Sequence, residues 1–400
     1  MLNATVLTPS QALEHTGVLM ENGRIACIAQ GAQDWACPAL DGSGLYLSPG
    51  FVDIHVHGGG GHDFMDGTAE AFIAAARSHA AHGTTTLLPT TLACDDHELS
   101  HVLEVYRQVR RLSHSGATMP GLHLEGPYFN STQAGAQDPR FLRAPQASHY
   151  QGILDRWGDC ILRWSAAPEL PGAHLFAETI SRQGILPCIA HTDAWFEEVE
   201  EAMQHGYSHI THLYSGMSGL RRTDGFRRAG VIESAYVLDA LTVEIIADGC
   251  HLPPALLKMV YRNIGPGRTA LVTDAMRAAG QAVSASTLGS RANGSDVLIE
   301  DGVAKLPDRS AFAGSVATMD RLVRTMVQQA GVPLTDAVTM ATATPARIAG
   351  LKSKGQIAVG MDADVVLFTE NIDIVATLIG AKSVYGKAAA ASLPRRSPDS

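Results

Sequence analysis

Eight short apolar or β-branched runs, separated for most of the chain by segments of helical pattern, constrain this sequence more than any other feature. They fall at residues 45–54, 84–88, 118–124, 161–166, 185–190, 207–211, 243–247 and 269–273. Between them, Ala69–His82, 96–112, 194–205 and 254–263 carry amphipathic helical patterns. Strands alternating with helices form parallel βαβ units. Eight in succession is the number that closes a (β/α)8 barrel of the TIM type. Such a barrel needs a large core, and a chain of 400 residues that is 46% hydrophobic and 18% charged supplies one and is not disordered.

Both ends of the chain fall outside this alternation. Asn22-Gly23 between apolar runs is the strongest short hairpin signal. Short strand patterns recur at Gly355–Gly360, Ala363–Phe368 and Ser383–Tyr385. Neither end alone holds enough strands for a stable sheet. We therefore expect a small β-sandwich domain built from 1–48 and 351–388, flanking a catalytic barrel at 49–350, with 389–400 as a disordered tail. The Gly/Ser-rich connection at 276–312 contains a hairpin pattern, Val297–Leu306, and long loops at such positions are usually functional.

Composition narrows the function classes. A net charge of −10 argues against wrapping nucleic acid or an anionic membrane, though not against a local basic pocket. The six cysteines are scattered without a C-x-x-C, so neither a disulfide framework nor a zinc knuckle is expected, and a reducing cytoplasm is. No signal peptide or membrane-length apolar run is present. Histidine, at 17, is the residue in excess. His97, His101 and His114 lie in polar helical surroundings and are expected at the surface.

The remaining candidates collect at one kind of place. His55 and His57 end the first strand run, Glu125 the third, His191 the fifth, His212 the sixth and Asp274 the eighth. The C-terminal ends of barrel strands are where such enzymes assemble their sites. Residues two apart on a strand point the same way, so His55 and His57 project together. A single strand-end histidine is most often a hydrogen-bonded structural residue; four imidazoles and two carboxylates at one mouth are a metal site by composition, suited to zinc, iron and similar divalent ions. A bound divalent ion lowers the pKa of its water to about 7 and polarises a carbonyl. Asp274 beside that water can take its proton and return it to a leaving amine. That is amide or ester hydrolysis without a covalent intermediate. No G-x-S-x-G supports a serine nucleophile. Gly58–Gly61 lacks the dinucleotide spacing; it serves either close backbone approach or a flexible loop.

These motifs resemble those of the N-acetylglucosamine-6-phosphate deacetylases of the amidohydrolase superfamily. The resemblance rests on PGFVDIHVHGGGGHDFMD, GLHLEGPYFN, AHTDA, THLYSGMS, ADGCHL, LVTDAM, FAGS and TPARIAGL, with KGQIAVGMDADVV, in order from about 16 to 387. It implies a homodimer that removes acetate from an amino-sugar phosphate. It implies that Glu125, His191 and His212 hold the principal metal, that His55 and His57 complete a second site found in some members, and that Asp274 is the catalytic acid/base. One or two ions per subunit follow. The resemblance further places Gln137, Ser215, Gly216, Arg227, His251, Ala313 and Gly314 at the substrate, with Arg227 on the phosphate and His251 acting across the dimer. Arg221, Arg222 and Arg228 compete with Arg227 for the phosphate role.

The chain departs from the family at two places, and from many dinuclear amidohydrolases at a third. Ser215-Gly216 stands where Asn-Ala is usual, and GLRRTDGFRRAG replaces the common R-E-P-G segment. The fourth strand, 162–169, has no lysine to bridge two metals, which leaves Glu125 for that role. The first two departures fall on substrate contacts, so a deacetylase of N-acetylgalactosamine 6-phosphate or another amino sugar stays open. So do a cyclic-amide hydrolase, a deaminase, and a non-catalytic scaffold; the missing lysine speaks against the first, the HLEGP glutamate against the first two, and the retained Asp274 and histidines against the scaffold.

Overall fold

The computed structural model describes residues 1–386 apart from residues 10, 32, 34 and 36, so the tail at 389–400 lies outside the described residues. Eight parallel strands occupy its centre: β1 (Phe51–Val56), β2 (Thr84–Pro89), β3 (Leu122–Glu125), β4 (Ile161–Ala166), β5 (Leu186–Ile189), β6 (His209–Ile210), β7 (Thr242–Ile245) and β8 (Thr269–Leu271). β3 to β8 form one six-stranded sheet in chain order, and β1 pairs with β2. Parallel bridges Thr86–Thr118 and Thr90–His123 join β2 to the approach and body of β3. On the other side the Asp274 N–H donates to the His55 carbonyl and the His57 N–H to that of Ala275, each at 2.9 Å. The strands thus follow one another round a curled parallel sheet, as a TIM-type barrel requires.

The helices between the strands form for ordinary reasons. In Asp96–Val109 the Asp95 side chain accepts from the Glu98 N–H as N-cap, and Leu99, Val102, Leu103, Tyr106 and Val109 make one buried stripe. The expected helix Ala69–His82 spans Ala69–Ala80, and the segment 254–263 is helical over Pro254–Asn263.

The two ends of the chain meet in one seven-stranded sheet. Its order is Lys382–Tyr385, Ile374–Ile379, Val365–Phe368, Tyr46–Pro49, Ala4–Leu7, Ala12–Glu21 and Arg24–Gln30. Asn22 and Gly23 turn the last hairpin with φ of 51° and 77°. The sheet has its own buried cluster, including Val6, Val18, Ile25, Leu47 and Val365.

The first apolar run, 45–54, is two strands rather than one. Tyr46–Pro49 belongs to the terminal sheet and Phe51 begins the barrel. Gly50 is the hinge; a Cβ there would lie 2.1 Å from the Thr85 side chain. The long connection at 276–312 holds the expected hairpin as Ser295–Glu300 and Val303–Lys305, with a third strand, Ala285–Leu288, beside it. His97 and His101 are exposed as expected, whereas His114 is half-buried in the turn after its helix.

Gly58–Gly61 serves close backbone approach, but to its own chain. Gly58-Gly59 pairs with His62-Asp63, and the His79 ring bonds the Gly58 carbonyl at 2.9 Å. A Cβ on Gly58 would sit 2.2 Å from the His62 carbonyl oxygen, which is backbone and cannot swing away. Gly58→Ala is therefore expected to lower stability by about 1–3 kcal/mol, the usual range for overpacking, read as a shift in the denaturant midpoint at constant m-value. An unchanged midpoint would mean that the turn yields freely.

Candidate active site

Five of the eight strands deliver side chains to one end of the barrel. Glu125 is the last residue of β3, His55 and His57 lie at the end of β1, and His191, His212 and Asp274 follow β5, β6 and β8 within three residues. His191, His212 and Asp274 all have positive φ, at 44°, 22° and 47°. Non-glycine residues in that region cost about 1–3 kcal/mol each and persist where the surroundings over-determine them.

The structure brings all six together. Glu125 Oε1 lies 3.0 Å from His212 Nε2, 3.3 Å from His191 Nε2 and 3.4 Å from His55 Nε2. Glu125 Oε2 is 3.4 Å from His57 Nε2, and Asp274 Oδ1 is 3.1 Å from that same nitrogen and 3.5 Å from His55 Nε2. All six are buried. His55, His57 and Asp274 form one set of mutually close donor atoms, and His55, Glu125 and His212 another.

The chemistry of these atoms fits a divalent cation. His191 Nδ1–H donates to the Gln133 carbonyl at 2.9 Å, and His55 Nδ1–H donates to Glu244 Oε1 at 2.6 Å. An uncharged ring held in this way turns a bare Nε2 lone pair toward the Glu125 carboxylate. Lone pairs facing carboxylate oxygens repel unless a positive charge lies between them. Holding the remote ring N–H on a carbonyl or carboxylate is how proteins orient metal-binding histidines. The Nδ1 atoms of His57 and His212 are buried without a hydrogen-bond partner among the described residues. Three carboxylates are buried here, those of Glu125, Glu244 and Asp274, and among the described residues only Glu244 is paired with a guanidinium, that of Arg163. The excess of two carboxylates over the guanidinium equals the charge of one divalent ion.

The electrostatics respond accordingly. Burial alone would raise the Glu125 carboxyl, but the surrounding imidazoles outweigh it and hold it well below the usual carboxylate range. Asp274 is likewise lowered against its burial by His55 and His57. Burial would lower His55, yet Glu125, Glu244 and Asp274 push it up to about 9, so the cluster draws positive charge. Asp53, beneath it, is pushed up to about 7 by burial.

Glu244 was not apparent from the sequence. Its Oε1 accepts from His55 Nδ1 and, at 3.3 Å, from the His212 backbone N–H. Its Oε2 accepts from Arg163 at 2.7 Å and from His209 Nε2 at 3.1 Å. Arg163 in turn donates to the Ile54 carbonyl at 2.9 Å.

A cavity of about 190 Å³ opens on this cluster. His57, Glu125, His191, His212 and Asp274 line it, and of the expected substrate residues so do Gln137, Ser215, Gly216, His251 and Gly314. Gln137 is fixed by donating to Glu125 Oε2 at 2.6 Å and accepting from the Ala93 N–H at 2.9 Å. His251 Nδ1 donates to Asp248 at 2.8 Å, and its ring packs against Phe312, with centroids 4.8 Å apart. His251 reaches the cavity of its own chain. Ala313 is fully buried and does not line the cavity, whereas its neighbours Phe312 and Gly314 do. The apolar wall of Leu92, Leu288 and Phe312 was not foreseen, although Phe312 stands within FAGS.

Arg227 is not brought to the cavity. It sits on an exposed two-stranded hairpin, Arg221–Thr223 with Phe226–Arg228. Arg221 and Arg228 lie over the Trp195 ring, at 4.3 and 4.2 Å, and bond Asp193 and Glu197. Arg222 and Arg227 are a cross-strand pair, a like-charge juxtaposition that is unfavourable by itself.

A family model described as "Amidohydrolase family" matches residues 46–384. The chain belongs to the amidohydrolase family. Among amidohydrolases it is 33% identical over 374 residues to an N-acetylglucosamine-6-phosphate deacetylase of Lysinibacillus sphaericus, covering 92% of this chain and 93% of that one. It is 32% identical over 354 residues to the Homo sapiens protein of the same name, covering 86% and 85%. The crystal structure of the N-acetyl-D-glucosamine-6-phosphate deacetylase from Mycobacterium smegmatis matches with a TM-score of 0.87 at 30% identity, over 95% of this chain and 98% of that one. That from Pasteurella multocida matches at 0.88 with 25% identity, over 95% and 98%.

Removing one partner of a buried ion pair typically costs about 3–5 kcal/mol. Glu244→Ala is expected to destabilise the amidohydrolase by that order, in a denaturant titration, and to lower the divalent metal retained per chain. Wild-type stability and metal content together would show that Glu244 does not organise the cluster.

Proposed function

We propose that this chain is a metal-dependent hydrolase that removes acetate from N-acetylglucosamine 6-phosphate to give glucosamine 6-phosphate. The observation that carries the reading is the convergence of Asp274, Glu125 and the Nε2 atoms of His55, His57, His191 and His212 at one barrel mouth, all but His55 lining one small cavity, in a chain whose relatives bear that name. Glu125, His191 and His212 would hold the principal ion, and His55 and His57 a second; zinc or iron suits this donor set. The ion, when bound, activates water and polarises the amide carbonyl.

The chain's own residues supply the rest. Asp274 takes a proton from the attacking water and delivers it to the departing amine. Gln137, held on both sides of its amide, orients the acetamide. His251, braced by Asp248, offers its other ring nitrogen to the sugar, with Ser215, Gly216 and Gly314 shaping the remaining wall and Ala313 packed behind it. Arg227 and Arg222, set side by side on the hairpin, are relieved by an anionic group, and we assign the phosphate to them. We further read the enzyme as a cytoplasmic homodimer; among the described residues no helix is long and apolar enough to cross a membrane. Residues 1–48 and 351–388 are read as a small sandwich-type β-domain beside a barrel at 49–350.

The Ser215-Gly216 departure leaves a second sugar open. Gly216 has φ +56°, and a Cβ there would lie 2.8 Å from His191 Nδ1. The Ser215-Gly216 pair thus brings the loop closer to His191 than the usual Asn-Ala could in this conformation. N-acetylgalactosamine 6-phosphate is the alternative substrate that this departure leaves open.

The test is acetate release from phosphorylated and unphosphorylated N-acetyl hexosamines. A chelator is expected to abolish turnover of the 6-phosphate and a divalent ion to restore it; full activity without metal would end this reading. Asp274→Asn should keep the fold and lose about 10²–10⁴-fold in kcat, whereas a variant within a few-fold of wild type would remove Asp274 from the mechanism. A hydrogen bond to a charged group is worth about 1.5–3 kcal/mol, or about 10–150-fold. Arg227→Ala should lower kcat/KM by that factor for the 6-phosphate only. If Arg222→Ala alone has that effect, the phosphate belongs to its neighbour.

A further inference from the structure

Two histidines outside the catalytic cluster occupy a second arrangement of metal-binding character. His174 and Glu178 lie on the helix Ala173–Ser181, and Glu201 and His205 on the helix Phe196–Gln204 and its C-terminal cap. Each pair is spaced i, i+4, so both members share one helical face. The two faces meet. The His174 and His205 rings stack with centroids 4.3 Å apart and planes within 9°. One donor atom each from His174, Glu201 and His205 lies within 4.8 Å of the others.

The hydrogen bonding prepares the site. His205 Nδ1 donates to Glu178 Oε1 at 2.7 Å. That bond fixes the tautomer, leaves Nε2 as a bare donor and raises its basicity, the arrangement found behind metal-binding histidines. His174 Nδ1 is 4.0 Å from Glu201 Oε1, too far for a hydrogen bond but within the span that one ion closes. Parallel stacked rings carry their lone pairs in separate planes, so the partly exposed His174 ring turns about its side-chain torsions for both rings to reach one ion. All four side chains are partly exposed, giving an ion access and leaving room for water as a fourth ligand.

We propose that His174, Glu201 and His205 bind a divalent transition-metal ion of the zinc class on the outer helical layer, with Glu178 as the positioning residue behind His205. Two imidazoles and one carboxylate are a zinc donor set. The ion would clip together the two helices that flank β5, the strand leading to His191. The site shares no residue with the catalytic cluster, so its ion is additional to those held there.

The experiment uses the full chain and zinc chloride alone as probe. Metal per chain is measured after equilibrium dialysis over a range of zinc concentrations, for wild type, the double variant His174→Ala/His205→Ala, and Glu178→Gln. The double variant is expected to bind one ion fewer per chain while releasing acetate at the wild-type rate and keeping its circular dichroism. Glu178→Gln should keep the stoichiometry and weaken that ion by about 10–100-fold. Binding of the same number of ions with the same affinities by wild type and the double variant would overturn the proposal. Full affinity in Glu178→Gln would overturn the role given to Glu178.

Discussion

One buried carboxylate, Glu244, ties four barrel strands to a common point. It reaches His55 on β1, Arg163 on β4, His209 on β6 and the backbone just beyond β6, while Arg163 also holds the β1 carbonyl of Ile54. Burial would raise this carboxyl, but Arg163 and the two imidazoles hold it well below its usual range, so it stays an acceptor on both oxygens. An ionised group so far from water is expensive unless every lone pair is engaged. The bonds that satisfy it place the His55 ring and the His212 backbone.

Backbone strain then sets the direction of the ligands. Glu125 and His55 belong to regular strands, whereas His191, His212 and Asp274 each take a left-handed conformation just past a strand end. Local hydrogen bonds retain these bends: the Ser315 N–H donates to the Asp274 carbonyl at 2.7 Å, and the Thr192 N–H to that of Gly216 at 3.0 Å. A strained bend turns a side chain that would continue along the barrel wall into one that crosses its mouth. The bent positions are therefore those whose geometry depends most on neighbours far away in sequence.

How much of this was legible follows from the range over which each feature is encoded. His55, His57, Glu125, His191, His212 and Asp274 were readable because each ends a local apolar run and barrel topology collects such ends at one face. Glu244 and Arg163 were not, since each is a single charged residue within an apolar strand and they stand 81 positions apart. The division at Gly50 was hidden for a different reason: Tyr46–Pro49 and Phe51–Val56 are both largely buried, so no change of pattern marks where one sheet ends and the next begins. The pairing of the arginine-rich segment was not legible because six polar residues around an exposed turn carry no burial signal, yet it forms a hairpin and rests on Trp195.

The terminal sheet has a consequence for how the chain emerges from the ribosome. Tyr46–Pro49 pairs on one side with Ala4–Leu7, available at once, and on the other with Val365–Phe368. About 300 residues separate those two events. At translation rates of ~5–20 residues per second, that edge stays open for roughly 15–60 s. An uncovered strand edge is a template for pairing with other chains. The nascent protein must therefore build its barrel while carrying an adhesive, half-finished sheet, and only the last strands to leave the ribosome cap it.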